Sequence, residues 1–459
     1  MARRSPDHPN GGAQHPQSPP PDDEPGAAAP VGRRSIFASL ASRNFRLFFV
    51  GQTISQVGNW MTMVALTLLI LRRTDSGMAI GLLSACQFGP VLLFSAWAGL
   101  IADRSNKRNL LMLTQALAMC QSAALGVLAF MDHAPIGAFY VVAFIGGLSL
   151  AVDNPVRRPF VNELVPIGDV ANAVSLYSAM NSLARIAGPT IAGVLIVTVG
   201  FGWTFTIDAV SYVAVLGSLA LMRPDELRRA PRTPRGAGQV REGLRYITGV
   251  PELWITFAML LIIGLISYNF SVTFPLFVVK ALHGSDRAYT LVYAAFSAGG
   301  LVGALVTARR SVVTITNVAR AAAGLGASML VLAFVPNPVV AAAVAVAVGA
   351  MGIGYMTGTT AIAQLRTDNR MLGRVLAVQM VLLIGTTPIG GPILGAVADA
   401  LGARAPVLIG GVGALAAAAF GTLAARRFDQ TSPTRPETTT TPGTRDPPEP
   451  PVWVEPQAT

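Results

Sequence analysis

The sequence predicts an all-α membrane protein, with twelve transmembrane helices in two six-helix bundles. Three observations carry this. Of 459 residues, 52% are hydrophobic and only 12% charged, and the mean hydropathy is +0.54, outside the range of soluble globular domains. Twelve apolar runs have the length needed to cross a hydrocarbon core of about 30 Å as helices. Lys and Arg collect on alternate connections between those runs.

The runs are 45–71, 79–102, 110–131, 136–153, 172–199 and 203–222. After a polar interval come 254–280, 288–308, 317–335, 339–362, 373–398 and 405–425. The chain therefore divides into an N-terminal tail 1–38, a bundle 39–222, a central loop 223–253, a second bundle 254–427 and a C-terminal tail 428–459. Both tails are too polar to fold alone and read as disordered. Residues 1–38 also lack the apolar core of a cleaved signal peptide. In the central loop Val240, Leu244 and Ile247 share one helical face beside Arg241 and Arg245. That pattern suits a short helix on a membrane surface, with a solvated linker as the alternative. A shift of 202 residues lays Asn172 on Arg374, Gly188 on Gly390 and Gly193 on Gly395, which points to two parallel halves.

If the N-terminus is inside, the inner segments hold 24 Lys and Arg, with Arg157 and Arg158 assigned to the loop after run four. The outer segments hold five: Arg72, Arg73, Lys280, Arg287 and Arg404. This asymmetry puts both termini in the cytoplasm. The net charge of +11 sits in short clusters without aromatic interleaving, so no nucleic-acid partner is expected. Cys86 and Cys120 lie inside apolar runs without ligand spacing, and no metal or cofactor is expected. No Walker A motif, zinc spacing or nucleophile elbow is present, which argues against an enzyme.

Between runs two and three stands Gly99-Leu-Ile-Ala-Asp103-Arg104-Ser-Asn106-Lys107-Arg108, where a small residue permits close packing and charges mark a sharp turn. It resembles the loop between helices 2 and 3 of the major facilitator superfamily, Gly-x-x-x-Asp-Arg-x-Gly-Arg-Arg/Lys. Asn106 replaces the usual Gly; Asn tolerates a left-handed backbone, so the turn is expected to be kept. In run five, Arg185-Ile-Ala-Gly188-Pro189-Thr-Ile-Ala-Gly193 combines a lost helical donor with small residues that admit a neighbouring helix. It resembles the helix 5 signature of facilitator exporters and antiporters, which implies a seal between the halves. Segments 44–60, 153–161, 172–189 and 385–390 extend the likeness, over essentially 40–427, to the bacterial group that includes the enterobactin exporter and macrolide-efflux proteins.

The resemblance implies proton-driven export of a drug-like or siderophore-like molecule across the bacterial inner membrane, by a monomer. Departures are visible. The drug-antiporter arginine of helix 4 has no counterpart between Ile136 and Leu148, and the second-half copy of the loop motif, Gly303 to Arg310, lacks its Asp. Gly395-x-x-x-Asp399-x-x-Gly402-x-Arg404 has a similar spacing but falls on the outer side, and is set aside. An importer or uniporter on the same fold, or a non-transporting sensor, are the alternatives.

Ionisable groups in hydrocarbon need a partner or water. Counted at about 1.5 Å per residue, Arg185 and Asp208 lie at similar depths and are expected to pair, with Asp208 either a protonation switch or half of a static pair. Asp153, near Arg157 and Arg158, is a second proton-carrier candidate or a brace for its helix end. Asp103 is expected to brace an inner gate together with Gly99, Arg104, Lys107 and Arg108. Under the facilitator layout, substrate contacts come from spans 1, 4, 7 and 10. Gln52, Gln56 and Asn59 share a face, with Tyr268, Asn269, Ser271 and Tyr355 as further candidates; interhelical hydrogen bonding is the alternative for each. So few buried charges imply a mainly apolar cavity and a bulky amphiphilic or neutral substrate.

Overall fold

An apolar run in lipid can satisfy its backbone only within itself, so each becomes a helix. The structure is a computed structural model that describes residues 37–228, 239–309, 313–368 and 370–431, apart from the side chains of 95, 96, 100, 102–104, 158, 239, 240 and 428–431. The readings made for 1–36 and 432–459 lie outside these residues. Among the described residues there is no strand, and twelve helices are long and apolar enough to cross a membrane. Spans 1 to 6 are Arg43–Thr74, Gly77–Arg104, Lys107–Phe130, Ile136–Glu163, Val170–Thr198 and Gly200–Ala220. Spans 7 to 12 are Pro251–Ala281, Asp286–Ala308, Ile315–Phe334, Pro338–Leu365, Leu372–Leu401 and Ala405–Thr431. Twelve crossings return the chain to the side on which it began, here called the terminal face; the opposite side is the far face.

Three elements depart from the expected runs. Span 4 continues beyond Asp153, through Pro155 and Pro159, to Glu163. The apolar run ends at Asp153, but Arg157 one turn later neutralises it, and the helix goes on. Span 7 is interrupted at Ser267–Asn269. There Asn269 Nδ2 donates to the carbonyls of Gly264 (3.2 Å) and Leu265 (2.8 Å) that the break frees. Span 11 breaks at Gly385-Thr386, just before Pro388, which has no N–H to give.

The internal repeat is visible in the packing. A Cβ on Gly188 would stand 2.5 Å from Trp60 Cβ of span 1, and one on Gly390 would strike the Leu265 carbonyl of span 7. Gly193 faces Thr290 of span 8, while Gly395 faces Gly77 of span 2. In each half the fifth helix thus packs on its own first helix and on the second helix of the other half. The shorter connections follow the same rule. Ser39, before span 1, donates to Asn172 Oδ1 at the start of span 5 (2.7 Å). Glu242, before span 7, pairs with Arg374 of span 11 at 2.6 Å.

Glu242 belongs to a helix over Gln239–Gly249. Ile247 is buried, Leu244 is exposed, and the Val240 side chain lies outside the described residues. Tyr246 Oη accepts from Asp368 N at 3.2 Å. This helix is therefore pinned by polar contacts to span 11 and to the loop before it.

Among the described residues, every hydrogen bond and ion pair between the bundles lies at the far face. Asp399 Oδ1 accepts from Gly77 N (2.7 Å), and its Oδ2 accepts from Met78 N (2.9 Å) and Ser76 Oγ (2.8 Å). One carboxylate from span 11 thereby caps span 2, where backbone N–H groups have no helical partner and the helix dipole favours an anion. Arg72 pairs with Asp286 at 2.6 Å, and Lys280 with Asp75 at 3.2 Å. Beneath them the backbones touch: a Cβ on Gly81 would stand 2.6 Å from the Gly391 carbonyl. The Gly395–Arg404 segment, set aside in the sequence as lying on the wrong side, holds that side shut.

Gly81→Leu should force the far ends apart, because its side chain would have to occupy space filled by span 11 backbone. With Cys86 and Cys120 replaced by Ser, spin labels at Met78→Cys and Leu401→Cys, both exposed, should report a distance distribution displaced outward by several ångströms. An unchanged distribution would show that spans 2 and 11 absorb the added side chain without separating.

Candidate transport site

The polar stripe of span 1 leads into a cavity of about 270 Å³ inside the first bundle, lined by Gln56, Asn59, Gln115, Ser122, Asp153 and Arg157 among others. Gln52 Nε2 donates to Gln56 Oε1 at 3.4 Å, and Arg157 Nη1 donates to the same oxygen at 3.1 Å. Asp153 Oδ2 meets Arg157 Nη2 at 2.5 Å. Its Oδ1 accepts from Thr114 Oγ1 and Gln115 Nε2, each at 2.9 Å. Both members of the pair are buried, with side chains 5% and 13% exposed. Arg157, assigned to the inner loop by the sequence, is an interior charge; the Arg158 side chain lies outside the described residues.

Thr62 and Ser122 line the same cavity and hold Asp208. Thr62 Oγ1 and Ser122 Oγ donate to Asp208 Oδ2 at 2.7 and 2.6 Å, and Ser211 Oγ donates to Oδ1 at 3.3 Å. Asp208 is fully buried. Gly58 leaves it room, since a Cβ there would collide with the carboxylate.

The expected Arg185–Asp208 pair is not formed. Equal depth fixes height and leaves direction open. Asp208 faces spans 1 and 3, inside the first bundle, whereas Arg185 turns toward the other bundle. The Arg185 guanidinium lies 5.5 Å from the centre of the Trp60 ring, within electrostatic reach of Tyr268 and Tyr293.

The remaining candidates divide. Tyr268 stands at the break in span 7, and its hydroxyl is buried without a hydrogen-bond partner. Asn269 is committed to capping the broken helix, Ser271 is half-buried, and Tyr355 is fully buried within the second bundle, away from any open surface. In the loop motif, Gly99 is buried, and the side chains of Asp103 and Arg104 lie outside the described residues. Lys107 pairs with Glu163 at the end of span 4. Arg108 donates to the carbonyls of Leu219 (2.7 Å) and Ala220 (3.0 Å) at the end of span 6. Both cations serve helix C-termini of their own bundle. Asn106 is not left-handed: its φ is −71°, and its side chain caps span 3 by accepting from Arg108 N and Asn109 N. The family's flexible Gly is replaced here by an N-cap.

Sequence reasoning missed Trp60, Arg157 and Asp399. Arg157 carried a signal, since Asp153 and Arg157 stand four apart on one helix face.

The family described as transmembrane secretion effector matches residues 34–441. The chain belongs to this family. It is 27% identical to the staphyloferrin A transporter of Staphylococcus aureus, over 57% of this chain and 66% of that protein. It is 27% identical to the multidrug efflux pump Tap of Mycolicibacterium fortuitum, over 76% of this chain and 88% of that one. With macrolide efflux protein A of Streptococcus pyogenes the identity is 21%, over 80% and 92%. The fold resembles a bacterial homolog of the human lysosomal transporter Spinster, with a TM-score of 0.68 at 14% identity, covering 84% of this chain and 98% of that one. A D-xylose–proton symporter aligns with a TM-score of 0.62 at 15% identity, covering 83% and 96%. The chain is a multi-pass membrane protein of the major facilitator type, an efflux transporter and not an enzyme.

Breaking a buried pair by removing one partner costs about 3–5 kcal/mol. Asp153→Asn should therefore destabilise the secretion effector by that order, and the double variant Asp153→Asn, Arg157→Met should recover most of the loss. Denaturant unfolding in micelles reads both. A single variant as stable as the parent would remove Arg157 from the list of buried charges that need an anion.

Proposed function

We propose that this secretion effector exports a small amphiphilic molecule, drug-like or siderophore-like, in exchange for protons by alternating access. The reading places it in a bacterial inner membrane as a monomer with both termini cytoplasmic, following the excess of Lys and Arg on the terminal face. Bundles 39–222 and 254–427 are the two moving bodies, joined by 223–253.

The observation that carries proton coupling is Asp208. It is a fully buried carboxylate in a span, held by three hydroxyls and, among the described residues, by no cation. Two of the three hydroxyls, from Thr62 and Ser122, come from neighbouring spans, and Ser211 lies on the same span as Asp208. A desolvated carboxylate without a countercharge needs a partner or water, which a proton can supply. Asp153 differs: Arg157 stands 2.5 Å from it as a countercharge. Asp208 is thus the proton carrier, and the polar cavity shared through Thr62 and Ser122 is its route to water. Asp153 is the fixed charge beside that route. Closure at the far face corresponds to the cytoplasm-open state, and release of the Asp399 clamp to the outward one.

Cells expressing the protein should extrude at least one of a set of amphiphilic fluorescent dyes that spans cationic, neutral and anionic members, and a protonophore should stop the extrusion. Asp208→Asn should keep the protein folded yet lower proton-driven efflux at least about tenfold, the scale at which a charge-assisted step is lost. Efflux by Asp208→Asn with the wild-type response to pH would overturn the coupling role.

A further inference from the structure

We infer that the exported molecule carries an anionic oxygen group, in the simplest case a carboxylate, and that Arg185 receives it. The inference rests on the export reading and names the substrate class for it. Arg185 is a half-buried cation in a membrane span. A guanidinium there needs a countercharge, acceptors or water. Among the described residues none is an ion-pair partner of Arg185; the carboxylates of its own bundle interior, Asp153 and Asp208, are turned elsewhere. What faces Arg185 is aromatic. Trp60 lies under the guanidinium at 5.5 Å, and Tyr268 and Tyr293 come from the other bundle.

The neighbouring polar atoms add donors. Trp60 Nε1 and Tyr268 Oη are both buried without a hydrogen-bond partner. A guanidinium offers five N–H donors in a planar fork, an indole one N–H and a phenol one O–H. Such a donor-rich group complements an oxyanion, which a guanidinium can take in two parallel hydrogen bonds. It repels a cation and leaves a fully apolar ligand with unmet donors. Tyr268 also opens an aromatic cluster, with Phe270 at 5.2 Å and Phe296 at 4.5 Å from Phe270. Phe270 and Phe296 are buried, and Tyr268 is the half-buried edge of this cluster against which an apolar body can lie while the anionic group meets Arg185. Arg185 and Trp60 belong to the first bundle, Tyr268 and Tyr293 to the second. A site served alternately from two faces draws on both halves in this way. The mainly apolar, neutral-substrate cavity read from the sequence is thus narrowed to an amphiphilic acid.

The probes are dansyl-phenylalanine and dansyl-phenylalanine amide, which share one apolar body and differ in the carboxylate. Fluorescence titration of the purified full-length protein should show the acid binding at least about tenfold more tightly than the amide, as one charge-assisted pair provides. Arg185→Gln should bind the amide as the parent does and lose the preference for the acid. If Arg185→Gln does not fold, Arg185→Lys takes its place: it retains the charge without the fork, and the preference should fall several-fold. Equal binding of acid and amide by the parent, at any strength, overturns the inference, as does an undiminished preference in the folded variant. Outward movement of both compounds from loaded cells is scored separately. Movement of neither removes the export reading and leaves the binding preference standing. Movement of the amide alone leaves export standing and removes the acid.

Discussion

A polar group left in hydrocarbon must find a partner, and most of the architecture is a response to that requirement. It makes each apolar run a helix. It also explains what happens where the helices fail. The carbonyls freed at the break in span 7 are taken up by Asn269, and Ser267 Oγ donates to the Gly410 carbonyl of span 12 at 2.7 Å. In span 11 Thr386 Oγ1 donates to Leu382 O at 2.9 Å beside the break before Pro388. Span 4 persists past Asp153 for the same reason, because Arg157 cancels the charge that would have ended it.

The same requirement separates permanent contacts from reversible ones. Within the first bundle the Asp153–Arg157 pair is buried, and removing one partner costs about 3–5 kcal/mol. Between the bundles the polar contacts sit at the far end, where Arg72 is 57% and Asp75 84% exposed, while Asp286 is buried. An exposed pair such as Lys280–Asp75 contributes about 1 kcal/mol or less, and its groups return to water on release. The Asp399 clamp has a further advantage. Its partners are backbone N–H groups of span 2, which lose no side-chain rotamers on binding. On the proposed reading, a gate built this way is strong enough to favour closure and weak enough to open.

Much of this was legible in the chain. Length and apolarity fix the helices, and the shift of 202 residues anticipates the matched packing of Gly188 with Gly390 and of Gly193 with Gly395. Position along a helix gives depth, and by that count Arg185 and Asp208 were set at one level. It does not give azimuth across a bundle, and there the pairing failed. The extent of span 4 was misjudged because hydropathy scores Asp153 and Arg157 as two charges, whereas the structure treats them as one neutral unit. Asp399 was discounted because its segment was compared with a motif of the opposite face. Its chemistry, an anion on a helix N-terminus, depends on a helix from the other half that no local spacing reveals.

The failed pairing bears on mechanism. Had Arg185 and Asp208 met, each would have neutralised the other, and the pair would have joined Asp153–Arg157 as a closed ion pair with nothing left to exchange. Thr62, Ser122 and Ser211 instead hold Asp208 with hydroxyls alone, and Trp60 supports Arg185 with a ring face. Neither arrangement supplies a full countercharge. On the proposed reading, a proton completes one site and an organic anion the other, and the two sites share span 1 through Thr62 and Trp60, two residues apart. Residues two apart on a helix point in different directions, so one helix can serve the bundle interior with Thr62 and the inter-bundle face with Trp60. On that reading, a shift of span 1 that alters the contact of Trp60 with Arg185 also alters the donors around Asp208. That common element is the physical basis on which proton and substrate can be exchanged against one another.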